Sequence, residues 1–125
     1  MQRLDRTYIL VGLCWVIVGM IFGVWLGASD HLNYANSHAH ANLLGFVTSV
    51  LFGLLHWAYP ALGKSRLATG QFIAYELGVL MLVIGKFLFD GGQRTLLLEI
   101  GSSVTIIGAA MMLLMFYRNG MKQAA

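Results

Sequence analysis

The sequence predicts an all-α, four-helix transmembrane bundle with both termini cytoplasmic, and three observations lead there. Of 125 residues, 58% are hydrophobic and only 10% charged, with a mean hydropathy of +0.74; a soluble domain of this size carries about a quarter charged residues. The apolar residues fall into four runs, each with the roughly 20 residues needed to cross about 30 Å of hydrocarbon. No run alternates polar and apolar positions, as a membrane barrel strand would. The length allows one domain, a single four-span membrane unit over 1–125.

The first span is expected from about Tyr8 to Ala28, uncharged throughout. Arg3 and Arg6 before it look like a signal-peptide n-region, but the run is longer than a signal h-region and three more follow, so it reads as a retained helix. The second is expected from about Ser37 to Tyr59, stopped by Pro60. The third runs from about Ala68 to Phe89 and contains Glu76 and Lys86. The fourth runs from about Thr95 to Tyr117, with Glu99 near its start.

Basic residues set the orientation. Arg3, Arg6, Lys64, Arg66, Arg118 and Lys122 share one side of a four-pass chain, and only Arg94 lies clearly in a loop on the other. The positive-inside rule then puts both termini in the cytoplasm of a cell whose inner membrane the chain crosses. Tyr8, Trp57, Tyr59 and Tyr117 are expected at the inner interface, and Trp25 and Tyr34 at the outer one. The formal charge of +3 comes from these scattered topology signals, not a patch that follows phosphates, so no nucleic-acid partner is expected. The single cysteine, Cys14, excludes a disulfide framework.

The chemistry-bearing residues gather on span two. His38 and His40 stand at its outer end in SHAHANLLGF, and His56 near its inner end; His31 falls in the outer loop. Histidines at membrane depth are costly unless partnered. At 100° per residue, His38 and His40 point about 200° apart, while His56 lies about five turns, or about 27 Å, beyond His38 on one face. One helix therefore cannot bring His38 and His40 to a single ion, but it can offer an imidazole to a group on either side. Ala41, Gly45, Ser49 and Gly53 form a small-residue stripe beside His38. That stripe has two readings: room for a flat iron-bearing cofactor ligated by imidazole, or close helix packing. The glycines of span one, Gly19, Gly23 and Gly27, read as packing.

HAHANLLGFVTSVLFGLLHWAYP resembles the His-x-His helix of the catalytic subunit of haem-copper oxidases and nitric oxide reductases. The resemblance covers about a fifth of the chain and implies that His38 and His40 are axial ligands to haem, one on each face. The family subunit has three related four-helix arcs, so one arc-sized chain implies a homotrimer, a cyclic arrangement that would supply a second imidazole. No copper-site histidine cluster accompanies the motif, so oxygen reduction is not expected and no catalytic residue is assigned. The expected function is binding of haem b for electron transfer, sensing or storage, with a redox partner. His38 and His40 are the expected metal ligands, and His56, Lys86 and Arg94 further cofactor contacts; Lys86 and Arg94 have the charge to hold haem propionates. The plainer reading of Lys86 is an i,i+4 pair with Asp90. Glu76 is a candidate partner for His56. Two other classes stay open: a small proton or ion transporter subunit using His38, His40, Glu76 and Glu99, and a structural or assembly partner using the small-residue faces.

Overall fold

A computed structural model describes residues 3–120; Lys122, expected among the inner-side cations, lies outside them. The described chain is all helical, and four helices are long and apolar enough to cross a membrane: α1 (Leu4–Ala28), α2 (Leu32–Ala58), α3 (Ala68–Asp90) and α4 (Leu97–Asn119). They are built as two hairpins, α1 on α2 and α3 on α4, joined by a 3-10 turn at Pro60–Lys64. Pro60 opens that turn after α2 stops at Ala58, as the sequence led one to expect.

Helix ends differ from the hydropathy reading where contacts extend the helix past the apolar run. Leu4 is buried, so α1 begins a turn before Tyr8. The two tight turns at the opposite end use one device. α1 stops with Asp30 at φ 59° and the His31 N–H bonded to the Leu26 carbonyl. α3 stops with Gly92 at φ 91° and the Gln93 N–H bonded to the Leu88 carbonyl. Both are six-to-one Schellman closures, which need a residue that tolerates the left-handed region.

α2 is not one uniform helix. A 3-10 turn at Leu32–Tyr34 leads into α-helix at Ala35–His40, a π-helical stretch at Ala41–Val47, and α-helix again at Thr48–Ala58. Five of its buried positions, Ser37, Ala41, Gly45, Ser49 and Gly53, recur every four residues, and buried His56 follows three beyond the last. In an ideal α-helix such a series drifts about 40° per step; the wider π turn, closed five residues back, takes up part of that drift and keeps the series inward. The Thr48 N–H bonds the Leu43 carbonyl, and the Leu44 carbonyl that it passes over accepts the Tyr75 hydroxyl of α3 at 2.8 Å.

Between the hairpins, large side chains fill the centre. Tyr8, Tyr75, Val79, Met112 and Met115 are buried there, with Phe52 and Phe72 edge-on to Tyr8. Tyr8, expected at the interface, is fully buried because its hydroxyl donates to Gln71 Oε1 at 2.7 Å. The Gln71 amide in turn donates to the Gly108 carbonyl at 3.0 Å. Pairing of this kind offsets the cost of placing polar groups in an apolar interior.

Candidate functional site

The end of the bundle holding the α1–α2 and α3–α4 turns carries most of the candidate side chains. Asp90, the last residue of α3, organises it. Its Oδ2 accepts the Ser37 hydroxyl at 2.6 Å and the Ser37 backbone N–H at 3.2 Å, and its Oδ1 accepts Lys86 Nζ at 2.7 Å. Asn33 Nδ2 donates to its carbonyl at 3.0 Å. A carboxylate from one hairpin thus satisfies a free N–H in the first turn of a helix from the other, where negative charge is also favoured by the helix dipole. The Lys86–Asp90 pair has the plainer form read from the sequence, and it leaves Lys86 mostly buried over the Phe89 ring. Arg94 is exposed, 3.8 Å from Glu99.

The three histidines here have three surroundings. His31 stacks on Trp25, with ring centroids 4.5 Å apart, and its Nδ1 meets Ser29 Oγ at 2.6 Å. His38 turns toward α1. A methyl group on Gly23 would lie 2.8 Å from its Cε1, Phe22 stands edge-on at 6.1 Å, and Asn42 Nδ2 is 3.3 Å from Nδ1. Gly23, read from sequence as a packing residue without a ligand beside it, is therefore the notch that receives this imidazole.

His40 faces elsewhere and is half-buried. Its Nδ1 lies 2.8 Å from the Asn36 carbonyl oxygen one turn back. A carbonyl can only accept, so Nδ1 carries the proton and, in the neutral ring, Nε2 carries the lone pair. Metal-binding histidines are commonly held this way, the second nitrogen donating to a carbonyl that fixes tautomer and ring orientation.

The small-residue stripe of α2 is occupied by neighbours. Trp15 of α1 packs on Gly45, Ile9 of α1 on Gly53, and Ser49 donates to Glu76 Oε1 at 2.6 Å. Of its two readings the packing one describes the chain itself, and a flat cofactor does not fit on that face. His56 is buried against Tyr8, ring centroids 6.0 Å apart, far along α2 from the other histidines. It does not pair with Glu76: His56 Nε2 and Glu76 Oε2 are both buried without a hydrogen-bond partner. Among the described residues no group of three or more His, Cys, Asp or Glu side chains gathers to hold a metal ion.

Sequence reasoning missed Asp90 as a cap, Gln71 as a buried link and Asn42 beside His38. The i+4 spacing of His38 and Asn42 was the available signal for the last; the other two join residues far apart in the chain. No family model, curated protein or solved structure matches the chain.

Proposed function

We propose that this chain is a haem-binding membrane protein serving electron transfer, haem sensing or haem storage, with haem b carried near the outer end of α2. The observation that supports it is the His40 ring, whose Nδ1 is committed to the Asn36 carbonyl. In this reading Nε2 of His40 would hold the haem iron from the side of α2 that faces away from the small-residue stripe. Arg94, exposed and in long contact with Glu99, is the cation for a propionate. His38, seated on Gly23, serves the site by fixing the α1–α2 seam behind it. Bound haem supplies the redox chemistry, and the chain supplies the ligand, the charge and a dry surrounding. A homotrimer in the inner membrane, both termini cytoplasmic, with a redox partner, completes the proposal.

The test is an optical titration of the purified chain with haem. It is expected to develop a Soret band near about 410–430 nm, as histidine-ligated haem does. A protein that stays colourless after haem is added contradicts the reading.

A second reading, a small proton or ion transport subunit, draws on Glu76, whose Oε2 is buried and unpartnered at membrane depth. It predicts a liposome flux that Glu76→Gln abolishes; equal flux in the variant contradicts it.

A further inference from the structure

The end of the bundle opposite the histidine pair carries a cleft that the haem reading does not use. It measures about 440 Å³ and lies between the α2–α3 connection and the last turn of α4. Lys64, Arg66 and Arg118 line it, with Ser65 and Asn119 between them and the buried Met115 as its floor.

Local structure holds these cations together. The Pro60–Lys64 turn ends at Ser65, whose backbone is extended and whose hydroxyl accepts the Leu67 N–H at 3.2 Å as α3 begins. Lys64 and Arg66 therefore flank one fixed residue. Arg118 arrives in the last turn of α4, where positive charge is favoured by the helix dipole. All three cations are exposed.

Among the described residues no acidic side chain forms an ion pair with them. Of the five acidic residues, Asp30, Asp90 and Glu99 lie at the other end or its loops and Glu76 lies within α3. Asp5 is the one acidic side chain at this end; it lines a neighbouring cavity with Lys64 and is engaged by Arg3 at 3.2 Å. One turn before Arg118, on the cleft side of α4, the surface is apolar and outward-facing, with Leu114 44% exposed.

We propose that this cleft binds the phosphate headgroup of an anionic phospholipid, with its acyl chains passing along α4 at Leu114. A phosphodiester between two arginines and a lysine gains charge-assisted hydrogen bonds that a zwitterionic headgroup offsets with its own cation. A basic pocket at the end of a helix bundle is the usual form of such a site.

The experiment uses the full chain in detergent, with native mass spectrometry and thermal unfolding against phosphatidylglycerol, phosphatidylcholine and inorganic phosphate. Phosphatidylglycerol is expected to remain bound and to raise the unfolding temperature more than phosphatidylcholine does. Arg66→Gln with Arg118→Gln is expected to weaken phosphatidylglycerol binding about 30-fold, from about 1 kcal/mol per cation near an anionic surface. Arg6→Gln, which removes an exposed cation at the same end but outside the cleft, is expected to change it less than about twofold. Equal retention of the two lipids overturns the proposal. So does a loss in Arg6→Gln that matches the cleft variant charge for charge, which is diffuse attraction. Inorganic phosphate binding tighter than the lipid also overturns it, in favour of a soluble anion.

Discussion

The two hairpins bury their glycines against different things. In α3–α4 the glycines meet backbone: a methyl group on Gly78 would stand 2.5 Å from the Thr105 nitrogen, and one on Gly85 2.5 Å from the Leu98 nitrogen. Gly101 lies against the Leu82 nitrogen, and Gly108 against Tyr75 Cα. In α1–α2 backbone comes so close only at the end nearest the N-terminus, where Gly53 meets the Asp5 carbonyl. Toward the α1–α2 turn the contacts are side chains: Trp15 on Gly45, Asn42 on Gly19, His38 on Gly23. Backbone-to-backbone seams fix two helices, because neither wall can move. A seam filled by an imidazole and an amide has walls that can shift, and the proposed haem ligand His40 stands beside that adjustable half.

The difference can be broken most sharply at Gly101. Gly101→Val forces a branched side chain into the α3 backbone and is expected to cost more than about 3 kcal/mol, beyond the usual overpacking penalty because no rotamer can yield. Thermal or denaturant unfolding in detergent would show it as lost folded protein. Gly23→Ala, where His38 can turn aside, is expected to cost about 1 kcal/mol. Equal losses in the two variants would remove the distinction.

Contacts between the hairpins come next in size. Asp90→Asn removes the Lys86 ion pair and weakens the cap on Ser37, and an expected loss of about 2–3 kcal/mol follows from leaving a mostly buried ammonium without its anion. Tyr75→Phe strands the Leu44 carbonyl inside the π stretch, at about 1–2 kcal/mol. If Tyr75→Phe unfolds at the wild-type temperature, the π stretch does not depend on that hydroxyl.

The smallest effect sharpens the comparison from the other side. Nothing lies within 4 Å of a methyl group on Gly27, the third glycine of the α1 run. Gly27→Ala is expected to stabilise the chain by up to about 1 kcal/mol through helix propensity alone. A clear destabilisation would mean that an unseen surface, such as a second copy, packs there.

Hydropathy made the four spans legible, because a membrane helix advertises itself through composition over some twenty residues. The fixed i,i+4 geometry made the Lys86–Asp90 pair legible for the same local reason. The π stretch was hidden, since small residues every four positions suit an α-helix nearly as well as a wider turn. Asp90 over Ser37 and Tyr8 with Gln71 were hidden because they join residues 53 and 63 positions apart, and nothing in their neighbourhoods names the partner. The opposed directions of His38 and His40 followed from helix period, but which of them meets a glycine notch depended on how α1 lies across α2.

The most direct measurement compares haem titrations of His40→Ala and His38→Ala, each followed by the Soret band. His40→Ala is expected to lose the axial ligand and the band, while His38→Ala binds haem with the wild-type spectrum and only unfolds more readily. A His40→Ala protein that keeps the wild-type Soret band would contradict the assignment outright.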